Sequence, residues 1–276
     1  MIEPRRFRGT LIGVAAATVA LVICTAPAGA QSSANQVPRT KDGKPDLSGI
    51  WQALNTANWD LQAHAAQAGH VVALGAQGAE PGGISVVKGG EIPYLPAALA
   101  QKKANYEKRF TDDPEIKCYM PGVPRATYLP FPFQILQSQK VIQISYEFAA
   151  SARTIFMEKM PPAPLDSWMG QSVGHWQGET LVVDVTGLLD QTWLDRAGDF
   201  HSDALHVVER YTPLGRDVLE YQATIEDPKV FSRPWKIAMP LYRHVEKDAR
   251  LMEFRCAQFV EELLYGQYRK TPVESK

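Results

Sequence analysis

From Phe131 onward the chain alternates. In "KVIQISYEF", residues 140–148, Ile142, Ile144, Tyr146 and Phe148 take one parity, and Gln143, Ser145 and Glu147 take the other. A repeat of two puts successive side chains on opposite faces of a strand, one face buried and the other wet. The pattern continues through "RTIFME", "SVGHWQGETLVVDVTGL", "LHVVERYTPLGRDVLEYQATIEDP", "PWKIAMPLYRHV" and "RLMEFRCAQF". Turn signals at "WQGE", "PLGRD", "EDP" and "EKDA" separate these runs. About eight strands result, most of them joined by short loops. Short links make consecutive strands antiparallel neighbours.

The first half reads differently. A polar lead, residues 31–45, passes through "KDGKPDLSGIW" into one short strand. Residues 60–92 start with helix-favouring alanines and become glycine-rich, which predicts a long surface excursion. His64 and His70 lie within it; a spacing of six does not place two ligands on one helix face. The run around "YLPAALAQKKANYEKRF" has helix-like order behind a proline and is the best helix in the chain. The expected fold is therefore mostly β: an antiparallel meander forming a lipocalin-like barrel or a strongly bent sheet, with one or two N-terminal helices. It occupies residues 31–276 as a single domain.

Residues 1–30 form a separate unit of meaning. Arg5, Arg6 and Arg8 precede an apolar run that closes on Ala28-Gly29-Ala30, the pattern of a secretory signal peptide. From Leu11 to Cys24 the run is about 14 residues long, short of the roughly 20 that span a bilayer. Cleavage after Ala30 removes Glu3 and the three arginines, taking the net charge from −1 to about −3. No basic block survives, so nucleic acid is excluded as a partner, and no stable membrane insertion is expected after cleavage. The expected location is periplasmic or secreted. In that oxidising setting the two remaining cysteines, Cys118 and Cys256, read as a candidate disulfide, with separate buried thiols as the alternative. A loop of that length gives on the order of 4 kcal/mol or more in the chain-entropy model.

The ordered set "DLSGIW", "CYMPGVPR", "SVGHWQGETLVVDVTG", "FHSDALHVVERY", "TIEDPKVFSRPW" and a final strand bearing "EFRC" resembles a large group of exported bacterial proteins. The likeness runs from Asp46 to about Cys256 and implies export without implying an activity. In that group the corresponding stretches read like G-x-W-E-G-D-T-L-V-V-D-T and H-S-D-x-L-H-V-x-E-R-F. Here His175, Gln177 and Glu179 stand where arginine, glutamate and aspartate are expected, so the charges flanking Trp176 differ from the pattern.

The stretch "FHSDALHVVERY" carries the densest chemistry. Read as one strand or two pieces of one, it places His201, Asp203, Val207, Glu209 and Tyr211 on a common face. An imidazole and two carboxylates in one cavity suit proton transfer, with His201 as acid or base and Asp203 or Glu209 as its partner. The same residues suit a structural role, His201 and Asp203 capping the strand while Glu209 pairs with an arginine such as Arg153 or Arg125. A metal is the least favoured use, because no H-x-H or H-E-x-x-H spacing accompanies them. Trp176, Arg125 and Tyr211 are candidate ligand contacts. Trp176 serves equally as a core residue beside a tight turn, and Arg125 equally as half of an internal ion pair. Gly170–Gly174 spells G-x-S-x-G, but inside a run read as one strand of a hairpin and not at a strand-to-helix turn, so it is no nucleophile elbow. There is no phosphate loop, no G-x-G-x-x-G and no C-x-x-C-H, so no nucleotide cofactor or c-type haem is expected. Two functions stay open: an internal pocket binding a small apolar or aromatic molecule, or a cofactor-free isomerase, lyase or hydrolase working in that pocket.

Overall fold

The computed structural model describes residues 36–69 and 78–265. Residues 1–30, read above as a signal peptide, and His70 lie outside them. Among the described residues nine strands close into one barrel, in which each strand pairs with the next and the last returns to the first. The strands are β1 (Gly49–Gln52), β2 (Phe133–Gln137), β3 (Val141–Tyr146), β4 (Ala152–Phe156), β5 (Gln171–Gln177), β6 (Thr180–Thr186), β7 (His206–Pro213), β8 (Val218–Glu226) and β9 (Trp235–Arg243). Between β1 and β2 lie α1 (Pro96–Glu107), α2 (Arg109–Asp112) and α3 (Arg125–Tyr128); α4 (Val260–Tyr265) follows the barrel.

Alternation decides what fills the interior. Val207, Glu209 and Tyr211 of β7 are buried, as are Leu219, Tyr221, Ala223 and Ile225 of β8 and Trp235, Ile237, Met239 and Leu241 of β9. Their sequence neighbours on these strands are half-buried or exposed. All of these buried residues but Glu209 form one apolar cluster with Phe133, Ile135, Ile142, Ile144 and Ile155 from β2 to β4. Each large apolar side chain buried in this way contributes about 1.5–3 kcal/mol.

One link departs from the meander. β4 and β5 are parallel, paired through Ile155 with Ser172 and Phe156 with Val173. The connection between them, residues 157–170, contains Pro161, Pro162 and Pro164 and crosses back instead of making a hairpin. The expected hairpin at "QGET" is present: β5 and β6 pair from Gln171–Thr186 to Gln177–Thr180, and Gly178 at φ +61° makes the turn.

Closure is completed by a piece that the strand pattern does not show. β1 meets β9 only at Trp51–Arg243 and Gln52–Tyr242. The rest of that edge is covered by residues 86–88: Lys88 N donates to Lys236 O at 2.8 Å and Ala238 N to Val86 O at 2.9 Å. Pro240 falls between these two patches, where a missing N–H leaves no ladder bond unmade. The excursion at 60–92 is thus fixed to the barrel where it is described, with further bridges between His64 and Gly83 and between Gln67 and Glu80.

The segment "RLMEFRC" is not a strand. Residues 251–257 run irregularly over the surface, since β9 already pairs with β1 and leaves no edge for another strand. This strap is pinned by Phe254, whose ring lies 5.1 Å from that of Phe131 and 4.9 Å from that of Phe148. Met252 N also donates to Glu147 Oε2 at 2.8 Å, and Phe259 N to Ile116 O at 3.0 Å. Cys118 and Cys256 are disulfide-bonded, with Cα atoms 5.8 Å apart. No described helix is long and apolar enough to cross a membrane.

Candidate functional site

The residues grouped by strand parity occupy three separate places. β7 begins at His206, so His201 and Asp203 lie in the loop before it and the shared parity does not reach them. Glu209 is buried in the barrel, facing Arg153 of β4. Arg153 donates to both Glu209 oxygens, at 2.6 and 3.0 Å, and to the Tyr211 hydroxyl at 3.0 Å. The Tyr211 and Tyr221 hydroxyls donate to Glu209 Oε1 at 3.0 and 2.8 Å. β4 and β7 are not neighbours in the barrel, so this bidentate pair is a strut across the interior. Burial and then Glu209 push both tyrosine phenols well above their ordinary value. Tyr211 is therefore a core hydrogen-bonding group.

His201 is 3% exposed, and both of its ring nitrogens are engaged. Nδ1 lies 2.9 Å from the Ser202 carbonyl, which can only accept, so Nδ1 carries the proton. Nε2 then accepts from the Thr192 hydroxyl at 2.6 Å. Burial depresses the pKa of this ring, outweighing the Ser202 carbonyl and Asp227. Asp203 is exposed and paired with Lys229 at 2.5 Å. Asp227 holds the loop instead: its carboxylate accepts from Ser202 N at 2.6 Å, Ser202 Oγ at 2.9 Å and Lys229 N at 3.0 Å. No described hydrogen bond or ion pair joins any two of His201, Asp203 and Glu209.

Trp176 packs half-buried against the core on β5. Arg125 is the internal ion pair. Its guanidinium donates to Asp113 at 2.8 and 2.9 Å, to Glu115 Oε2 at 2.6 Å and to Asn58 Oδ1 at 2.9 Å. Arg196 reaches Glu115 from the other side at 2.8 and 2.9 Å. Burial alone would raise the Glu115 carboxyl, but Arg196 and Arg125 bring it down to about 2.

A cleft opens beside this network. It encloses about 320 Å³, and no strand residue lines it. Phe131, Phe148, Phe254 and Phe259 form much of its wall, with Trp59 and Ile116. Its inner charges are paired, Glu80 with Arg109 at 3.3 Å, Asp113 with Arg125 and Glu115 with Arg196, and Arg255 at its edge pairs with the exposed Glu253 at 2.8 Å. The Arg196 guanidinium also lies 4.4 Å from the centre of the Trp59 ring. A second cavity of about 200 Å³ shares Trp59, Glu80, Arg109 and Arg196 with the first and adds Asp60, His64 and Tyr106.

Asp60 leads to the other concentration of charge. Together with Asp195 and Asp199, both fully buried, it forms a set of three carboxylates. Burial and then Asp199 push the Asp195 carboxyl well up, and burial raises Asp60. Strand periodicity placed Phe148, Phe254 and Phe259 in strands and not in a cleft wall, and it singled out none of these aspartates. The two acids flanking Arg196-Ala197-Gly198 in "WLDRAGDF" are the local signal that could have marked the place.

Comparison with protein-family models, with curated proteins and with solved structures finds no match to this chain.

Proposed function

We propose that the chain is an exported protein that binds a small, neutral, flat apolar or aromatic molecule, and that the ligand sits in the end cleft and not in the barrel. The observation that carries this reading is the 320 Å³ cleft walled by phenylalanines and Trp59, whose inner charged groups, Glu80, Asp113 and Glu115 with Arg109, Arg125 and Arg196, are already paired, while Arg255 is held by the exposed Glu253. A ligand bearing a net charge would have to break one of those pairs, whereas a neutral ring meets rings and guanidinium faces. The interior, by contrast, is filled by the apolar cluster and the Arg153–Glu209 strut. Export rests on the signal pattern at residues 1–30 and agrees with the disulfide. The acid–base alternative has no support from geometry, because His201, Asp203 and Glu209 share no cavity lining among the two described.

The test is a fluorescence titration with the neutral dye N-phenyl-1-naphthylamine, followed through its own emission and through the part of the tryptophan quenching that Trp59→Phe removes. Saturable one-to-one binding is expected in the wild type. Phe254→Ala removes one ring of the wall and is expected to weaken binding about tenfold, the worth of roughly 1.4 kcal/mol. Equal affinity in Phe254→Ala and in Phe131→Ala overturns the placement.

A further inference from the structure

Asp60, Asp195 and Asp199 each offer an oxygen lying within 4.8 Å of the others. Local structure holds all three rigidly. Leu194 N donates to Asp199 O at 2.6 Å, closing a tight loop, and Asp199 N donates to Asp195 Oδ1 at 3.1 Å. Leu61 N binds Asp195 Oδ2 at 2.9 Å, and Gln62 N binds Asp60 Oδ1 at 2.7 Å. The Tyr94 hydroxyl donates to Asp199 Oδ1 at 2.6 Å. The other oxygen, Asp199 Oδ2, is buried and receives no N–H or alcohol donor, on a residue that is 0% exposed and whose carboxyl also meets that of Asp195.

The charges do not close. Against three carboxylates stands Lys102, whose ammonium is 3.9 Å from Asp199 Oδ1. Arg125 and Arg196 are committed to Asp113 and Glu115. His64 sits beside Asp60 with Nδ1 directed at the Gln62 carbonyl. Burial and Asp199 push the Asp195 carboxyl well up, so without a cation it keeps a proton; two carboxylates then face one ammonium, and buried charge requires compensation. A divalent cation in the place of that proton would balance all three carboxylates together with Lys102.

Size and ligand type narrow the choice. An oxygen-only set selects a hard cation over zinc or copper. Calcium keeps its oxygens at about 2.3–2.6 Å, so ligands on opposite sides of it stand roughly 5 Å apart, in keeping with the span of this group. We propose that Asp60, Asp195 and Asp199 form a calcium-class cation site, with Asp199 Oδ2 as its dedicated ligand. The site would tie the 58–62 segment to the 194–199 loop. Trp59 and Arg196, the cleft residues that stack on one another, are the immediate sequence neighbours of Asp60 and Asp195, so the cation would set their positions. The proposal stands whether or not the cleft takes the ligand described above.

The experiment uses the mature chain after dialysis against EDTA. Calcium is expected to raise its Tm by roughly 5 °C at saturation. Terbium is the second probe: excitation through Tyr94 is expected to give saturable emission that calcium displaces. Asp199→Asn and the more exposed Asp60→Asn are expected to lose both signals, and Asp203→Asn, a surface control, to keep them. No Tm response in the wild type up to about 10 mM calcium, beyond the range of the weakest extracellular calcium modules, overturns the site. Signals unchanged in either variant that folds overturn it equally.

Discussion

Glu115 receives two guanidinium groups and an amide while fully enclosed, and removing its charge leaves Arg125 and Arg196 short of a partner. Glu115→Gln is expected to cost about 3–5 kcal/mol in urea unfolding at pH 7, the range for breaking a buried pair. Because its folded-state pKa is lowered from 4.5 to about 2, its stabilisation is fully present above about pH 4.5 and is lost as pH falls towards 2. The cost of the variant therefore shrinks when unfolding is repeated at pH 3. His201 titrates in a different window. Its folded pKa is depressed below 6.5, so the unfolded state takes up a proton first and stability is lost as pH falls below about 6.5. His201→Asn is expected to flatten that slope between pH 6.5 and 5 in thermal melts; a slope equal to wild type contradicts the neutral, doubly bonded ring.

Elements differ in how far the sequence announced them. Parity along β7 placed Val207, Glu209 and Tyr211 together, and they do face inward together. Arg153 was already one of two arginines considered for Glu209, and it is the partner found. The start of β7 was not legible, because Ser202 and Asp203 enter a turn whose anchor, Asp227, lies 25 residues away. Alternation is a local property, whereas an available sheet edge is not; "RLMEFRC" carried enough apolar residues to read as a strand although closure of β1 on β9 left it nothing to pair with. The cleft was less visible still, since its wall is assembled from Trp59, Glu80, α2, Phe131, Phe148, Arg196 and the strap, segments with no common period. One element-level contact is open to direct test. Gly198, at φ +83°, turns the 194–199 loop, and a Cβ there would lie 2.7 Å from Asn105 Cβ and 2.8 Å from Tyr106 N of α1. Gly198→Ala is expected to destabilise by about 1–3 kcal/mol, through overpacking and left-handed strain together. Hydrogen exchange should show the loss as faster opening of α1.

At the scale of the molecule, the barrel and the cleft depend on different bonds. The barrel closes through its own ladder, with residues 86–88 completing the seam. The cleft depends on a strap that joins the rest at Phe254, at two backbone hydrogen bonds and at the Cys118–Cys256 bridge. Residues 118 and 256 are separated by 138 positions, a loop whose closure is worth about 5 kcal/mol in the chain-entropy model. Cys256→Ser is expected to lower Tm and weaken dye binding while far-UV circular dichroism keeps its β signature.

The bridge also dates the cleft. The barrel ladder takes no bond from the strap, so while the thiols are reduced one wall of the cleft is held to the rest only by a phenylalanine and two hydrogen bonds from backbone amides. On the proposed reading of an exported binding protein, oxidation finishes the cleft only after export, so a molecule matched to it would meet an unfinished receptor inside the cell and a complete one outside.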